Sequence, residues 1–263
     1  MMDGKVVADR IFAELTNQVS HMSVRPHMTV ITCAPNFETK KYLNIKTRKA
    51  KRVGVGINVI ELPGNITTAE AVQTVQHASL QTDGIIVQLP LPDHLDTGAI
   101  LDCIPVHMDI DGVHYDGTAT TQIHPVAGAI AALAVHHDVL LAGQKVVVVG
   151  AGRLVGKPAA LWAAGQGADV TTVTLDTENN ETAIKQADVL ILGAGQPNLI
   201  TPDMVKPGVV IFDAGTSELG GQLVGDAHPN CSGVASLMTP VPGGIGPVTV
   251  AILLRNLVAG VRE

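Results

Sequence analysis

The chain has 263 residues, of which 46% are hydrophobic and 16% charged, and its formal net charge is −7. Those proportions describe a globular protein and exclude a disordered one. The negative balance argues against nucleic acid as the main partner, because phosphate binding wants a broad basic face. Aromatic residues are only 2% of the total, so the core is expected to be aliphatic. Met1–Arg10 mixes charged with apolar residues, unlike a secretory leader, and no apolar run approaches the ~18 residues of a membrane span. Cys33, Cys103 and Cys231 lie far apart with no CxxC pair and no zinc-like His spacing, so a reducing compartment and no metal are expected. The expectation is a cytoplasmic protein with no membrane association.

In chain order, Met28–Cys33, Gly56–Leu62 and Gly84–Leu89 read as strands, bounded by Gly and Pro. Helices are expected between them at Glu38–Arg52 and Thr68–Leu80, the second opened by Thr67 or Thr68 as cap with Glu70 behind. This is the βαβαβ pattern of a parallel sheet. His107–Gln122 breaks the rhythm with Asp, Gly, His and Thr, and a domain junction belongs there. A second series follows: a helix at Val126–His137, a strand at Lys145–Val149, a helix at Val155–Gly165, and strands at Asp169–Leu175, Asp188–Gly193 and Val209–Asp213. A Pro/Gly-dense stretch, Pro240–Pro247, reads as an ordered loop or tight turn before a last helix at Thr249–Arg262.

The sharpest local signal is the run of valines Val146–Val149 entering Gly150-Ala151-Gly152-Arg153-Leu154-Val155-Gly156. Glycines at such a strand-to-helix turn permit the turn itself and let backbone N–H groups approach a pyrophosphate at the helix N-terminus. The spacing is GxGxxxG where the usual fingerprint has GxGxxG. Asp176 ends the next strand, where an acid accepts hydrogen bonds from ribose hydroxyls and repels a 2′-phosphate. Arg153 is in reach of a phosphate, so both NAD and NADP stay open. The bland alternative is a turn that serves packing alone.

In Lys40–Arg52, Tyr42 and Lys46 lie four apart, on one face of a helix. A phenol that can stack on a planar ring, beside an amine, is a plausible catalytic pair. Seven of the 17 Lys and Arg residues fall in this stretch, and like charges nearby would lower the Lys46 pKa. A solvated basic helix is the competing reading, and the segment alone does not decide.

Eight segments together resemble the methylenetetrahydrofolate dehydrogenase/methenyltetrahydrofolate cyclohydrolase family. They are Tyr42–Lys46, Asp83–Pro92, Asp109–Gly112, Val155–Pro158, Gly195–Pro197, Lys206–Asp213, Val224–Asp226 and Thr239–Thr249, in the family's order and near its spacing. The resemblance implies an α/β fold of two lobes, with the C-terminal helix returning to the first. Residues 1–120 plus 248–263 would form the folate-binding lobe with its βαβ parallel sheet, and 121–247 a Rossmann-type dinucleotide lobe. It implies oxidation of 5,10-methylenetetrahydrofolate with NAD(P), then hydrolysis of the methenyl product to 10-formyltetrahydrofolate, by a homodimer. Tyr42 would stack on the pterin and Lys46 would be the cyclohydrolase acid/base. Gln88 would tune Lys46, and Asp111 would bind the pterin's amino edge. Leu89, Pro242, Gly243 and Gly244 would line the folate pocket. The dinucleotide would meet Gly150, Ala151, Gly152, Arg153, Val155, Gly156, Asp176 and Gly195.

Some positions depart from the family's pattern. Gly150-Ala151-Gly152 replaces its Gly-Arg-Ser, and Leu175 and Asp176 replace a Ser and a basic residue. Both changes remove groups expected to hold a 2′-phosphate, which implies a preference for NAD over the family's common NADP. Met108, the Cys33–Asn36 stretch and Ile123-His-Pro-Val126 also differ, and the junction before Ile123 is short, yet no residue assigned to chemistry is lost. Three alternatives compete with this reading: a dehydrogenase with weak or no cyclohydrolase activity, a non-catalytic NAD-binding relative, and a two-lobed dehydrogenase of another small acid or amino acid. Retention of Tyr42, Lys46, Gln88 and Asp111 speaks against the second, and the Thr239–Thr249 stretch against the third.

Overall fold

A computed structural model describes residues 1–174, 177–178 and 180–261. The chain folds into two compact units: a first of Arg10–Ile123 with the chain from Leu253 on, and a second of His124–Ile252 with Met1–Asp9.

The first unit begins within helix α1 (Gly4–Ser20) and alternates β1 (His27–Cys33), α2 (Phe37–Val53), β2 (Gly56–Leu62), α3 (Thr68–Ala78), β3 (Gly84–Val87) and α4 (Thr97–Asp102). None of the elements read from the sequence covers α1 or α4. The three strands pair in parallel in the order β2-β1-β3. β3, at one edge of that order, is nonetheless buried throughout, and it stops short of the expected Leu89 because Pro90 has no N–H to give a ladder. Helix α2 starts where the Asn36 side chain accepts from Thr39 N–H at 2.8 Å, and it ends on Gly54, whose φ of 96° is left-handed. Helix α3 opens with the reciprocal Thr67–Glu70 capping box, which satisfies two of its otherwise unpaired N–H groups. Between α4 and Ile123 the chain has turns and one short 3₁₀ segment, as the broken rhythm of His107–Gln122 anticipated.

The second unit runs α5 (Pro125–His136), β4 (Lys145–Val149), α6 (Gly156–Gly165), β5 (Asp169–Val173), α7 (Asn180–Gln186), β6 (Val189–Leu192), β7 (Val210–Asp213), β8 (Ser217–Leu219), β9 (Gln222–Val224), β10 (Leu237–Met238) and the start of α8 (Ile245–Gly260). Five strands form a parallel sheet in the order β10-β7-β6-β4-β5, and β8 and β9 make a separate antiparallel hairpin. Because β5 lies on one side of β4 and β6 on the other, the winding reverses between β4 and β6, the place where open α/β sheets bind ligands at the strands' carboxyl ends. The core is aliphatic: Val147, Leu190, Leu192 and Ile211 are buried at the centre of this sheet.

Met1–Asp9 falls in the second unit rather than with the first lobe, because Met2 N–H donates to Met238 O at 2.8 Å and Gly4 N–H to Gly243 O at 3.0 Å. Helix α8 starts earlier than Thr249: Pro247 sits in its first turn, where no N–H is needed. Among the described residues, no helix is long and apolar enough to cross a membrane.

Candidate active site

In the first unit, three of the residues singled out in the sequence meet, and the charge of a fourth, Asp111, acts on them. Tyr42 and Lys46 lie on one face of α2, and the Lys46 Nζ sits 4.7 Å from the centre of the Tyr42 ring. Lys46 is 3% exposed and donates to Gln88 Oε1 at 2.9 Å. Gln88, just past the end of β3, is itself fixed: its backbone N–H donates to Ile31 O at 2.8 Å and its Nε2 donates to Leu89 O at 2.9 Å. That second bond turns the amide so that its oxygen faces the lysine.

Burial pushes the Lys46 amine below the ordinary lysine range, and the negative charge of Asp111 offsets part of that. The expectation that neighbouring cations depress Lys46 is therefore corrected. Lys40, Lys41, Arg48, Lys51 and Arg52 are exposed, and water screens them. Burial, then Asp111, likewise drives the Tyr42 phenol upward, which keeps it protonated at neutral pH. Gln88 matters for the same balance: a neutral acceptor holds the amine in place without the charge that would fasten a proton to it.

The acidic pair of the junction divides its work. Asp109, 2% exposed, accepts from Val113 N–H at 3.1 Å, His114 N–H at 2.8 Å and His114 Nδ1 at 3.0 Å, so it shapes the turn. Asp111 is the member whose charge acts on Tyr42 and Lys46. Nearby, Asn256 of α8 donates from Nδ2 to Ile110 O at 3.0 Å and to Ile123 O at 2.8 Å. Sequence reasoning missed this residue.

In the second unit, a cavity of about 420 Å³ opens at the carboxyl ends of β4 and β6, within the usual range of small-molecule sites. Gly150, Ala151 and Gly152 line it, as do Gly193, Ala194 and Gln196 of the neighbouring loop. The three glycines of the turn have three different reasons to be glycine. Gly150 has φ +100°, and a Cβ there would lie 2.6 Å from Gly193 O. A Cβ on Gly156 would overlap the Gly150 carbonyl, so this glycine lets α6 close onto β4. A Cβ on Gly152 would meet nothing within 4 Å, which leaves open room for a phosphate to approach the backbone. The extra residue in the spacing is thus absorbed, and the turn fits a dinucleotide pyrophosphate at the N-terminus of α6.

Of the other expected cofactor contacts, Val155 is packed where a Cβ on Gly193 would be, and Arg153 is exposed. Gly195, at φ +66°, lies in the loop after β6. Leu175 and Asp176 lie outside the described residues. Thr174, Asn180 and Glu181 also line the cavity and were not anticipated. Pro242, Gly243 and Gly244 belong to the second unit, in the turn that receives Gly4.

Two family models match the chain: tetrahydrofolate dehydrogenase/cyclohydrolase, catalytic domain, over residues 2–111, and its NAD(P)-binding domain over 125–263. A protein of Nautilia profundicola named Bifunctional protein FolD is 35% identical over 100% of this chain and 97% of its own length. Among solved structures, a bifunctional methylenetetrahydrofolate dehydrogenase/cyclohydrolase from Campylobacter jejuni has a TM-score of 0.95 at 32% identity, covering 98% of this chain and 97% of that one. A Trypanosoma brucei relative, solved with NADP and an inhibitor, has a TM-score of 0.91 at 31% identity, covering 99% and 96%.

Proposed function

Because the chain belongs to the tetrahydrofolate dehydrogenase/cyclohydrolase family, we propose that it carries out both reactions and divides their machinery between its two units. It oxidises 5,10-methylenetetrahydrofolate to the methenyl cation with a nicotinamide dinucleotide, then hydrolyses that cation to 10-formyltetrahydrofolate. The observation that carries this reading is the buried Lys46, held by Gln88 beside Tyr42 and under the influence of Asp111.

Hydride acceptance is chemistry that a bound dinucleotide supplies. The residues that would hold it are Gly150, Ala151 and Gly152 at the turn, with the loop after β6 beside them. In the first unit, Tyr42 offers a protonated phenol and a ring face to the pterin, and Asp111 a carboxylate to its amino edge. Hydride loss is assisted by the substrate's own nitrogen lone pairs, so positioning is what these residues contribute to that step. Hydrolysis needs more. As the neutral amine, Lys46 takes a proton from the water that adds to the methenyl carbon. As the ammonium, it returns that proton to the ring nitrogen whose bond to carbon breaks, while the hydroxyl proton of the adduct leaves to solvent. Burial, by lowering the Lys46 pKa, makes the neutral amine easier to reach than in an ordinary lysine, as that alternation needs.

NAD is the preferred dinucleotide in this reading, since Ala151, Leu175 and Asp176 replace groups that would hold a 2′-phosphate. The implied assembly is a cytoplasmic homodimer. One cuvette tests the chemistry: methylenetetrahydrofolate with NAD or with NADP, read at the methenyl absorbance. The wild type should form the methenyl product and let it decay, with the higher kcat/KM for NAD. Lys46→Met should form it and let it accumulate. Decay in that variant at the wild-type rate, corrected for the uncatalysed reaction, would remove Lys46 from the mechanism, and a much higher kcat/KM with NADP would overturn the preference.

A further inference from the structure

Two of the segments that carry the resemblance, the end of Lys206–Asp213 and Val224–Asp226, have no part in the chemistry above. Both contribute a fully buried aspartate to the second unit: Asp213 at the end of β7 is 1% exposed and Asp226 after β9 is 0% exposed. Among the described residues, neither forms an ion pair with a cation. Asp226 Oδ2 accepts from Ala194 N–H at 2.6 Å and Gly195 N–H at 3.1 Å, and its Oδ1 from Gln196 N–H at 2.8 Å. Asp213 Oδ1 accepts from Gly215 N–H at 2.9 Å and from the N–H of Asp226 at 3.1 Å, and its Oδ2 from Ala227 N–H at 2.9 Å. One carboxylate therefore holds the loop after β6, and the other holds the first carboxylate's backbone.

The surrounding sequence is built around this stack. A Cβ on Gly215 would overlap the Asp226 carboxylate, and a Cβ on Gly225 would overlap that of Asp213. Burying a carboxylate is costly, and three converging N–H groups offset the cost only if all are aimed at it. A neutral amide could not replace it, because one of its two heads presents N–H to N–H. The residues so held, Ala194 and Gln196, line the same cavity as the glycine turn.

We infer that Asp226 is a positioning residue for the dinucleotide site, with Asp213 as its support: it sets the Ala194–Gln196 wall against which the dinucleotide binds. The inference rests on the cavity being the dinucleotide site. With a resident carboxylate already accepting from them, the N–H groups of Ala194, Gly195 and Gln196 are committed and not free to cradle a phosphate.

The isosteric Asp226→Asn variant tests it, because the two activities provide an internal control. The dissociation constant and KM for NAD should rise about tenfold to a hundredfold, the range for a lost charge-assisted hydrogen bond, while hydrolysis of methenyltetrahydrofolate stays near wild type. A wild type that binds NAD together with a variant that binds it equally well would overturn the inference. So would a variant in which hydrolysis falls as far as NAD binding, which signals a merely structural role. A wild type that binds neither NAD nor NADP by calorimetry would instead remove the reading of the cavity. Should Asp226→Asn not fold, hydrogen exchange on the wild type decides. The Ala194, Gly195 and Gln196 amides should be protected without ligand and lose protection in Asp213→Asn. Exchange at exposed-loop rates in the wild type would overturn the inference.

Discussion

Replacing Asn256 with Leu should loosen the junction that carries Asp111. Asn256 is 3% exposed, and its Nδ2 reaches Ile110 O at 3.0 Å and Ile123 O at 2.8 Å, one at each end of the irregular stretch. Leu has the same number of side-chain heavy atoms but bulkier methyl ends, so no cavity is left, and the polar loss comes with some crowding. A carbonyl left unpaired in the interior costs about 1–3 kcal/mol. The bond to Ile110 is buried, so its carbonyl takes that cost in full, whereas the bond to Ile123 is only part-buried and water can reach its carbonyl. Burying the Leu side chain returns about 1–2 kcal/mol and its crowding takes about as much away, leaving a net destabilisation of about 1–3 kcal/mol. Since m in urea is about 1–3 kcal/mol/M, the midpoint should fall by about 1 M. Ile110 precedes Asp111, so the KM for methylenetetrahydrofolate should rise while the dissociation constant for NAD, measured by calorimetry, stays unchanged. Asn256→Asp should be worse than Leu, because an ionised carboxylate in that place would face two carbonyl oxygens. An unchanged midpoint and KM in the Leu variant, or Asp tolerated as well as Leu, would refute the reasoning.

Asp111→Asn should shift the acid limb of the methenyl hydrolysis profile to lower pH. The sign follows from Asp111 raising the Lys46 pKa against the dominant lowering by burial; a shift to higher pH would show another group to be titrating. The glycine turn predicts a contrasting pair. Gly156→Ala should abolish NAD binding but spare hydrolysis, because its Cβ would overlap the Gly150 carbonyl. Gly152→Ala, with nothing within 4 Å of its Cβ, should keep wild-type stability and weaken only the dinucleotide; thermal unfolding and calorimetry on both check the order.

What the sequence disclosed and what it hid divide along a physical line. Strand β4 and its turn were legible because four valines and two glycines act locally, and the Tyr42–Lys46 spacing because a helix has a fixed period. Helix α1 carried a signal too: Val7, Ala8, Ile11, Phe12, Leu15 and Val19 are all buried at helical spacing. The Gly220-Gly221 pair between β8 and β9 is a two-residue hairpin turn, also readable. Helices α4 and α7, of 6 and 7 residues, are too short for periodicity to speak. The work of Asp226 was hidden for another reason: its partner Ala194 is 32 residues away, and nothing at either position announces the other. Asn256 is hidden in the same way, its partner Ile110 being 146 residues distant. Local chemistry reads out of a sequence, and long-range hydrogen bonds require the fold.

The buried charges of the two units show how one chain separates reactivity from scaffolding. Asp226 and Asp213 each meet three backbone N–H groups, so neither can turn or exchange partners without stranding buried donors. Burial pushes Asp213 up to about 6 against those three bonds, so even an interior carboxylate so well supplied stays near its limit. Lys46 is the opposite case. It has three N–H donors and, among the described residues, one hydrogen-bond acceptor in Gln88, with the Tyr42 ring as a weaker second partner. A cation so sparsely held gives up its proton readily, and a neutral amine so placed can still donate to Gln88 while its lone pair is free. What suits a buried charge to proton transfer is therefore the number of partners it lacks, and what suits one to shaping a wall is that it lacks none.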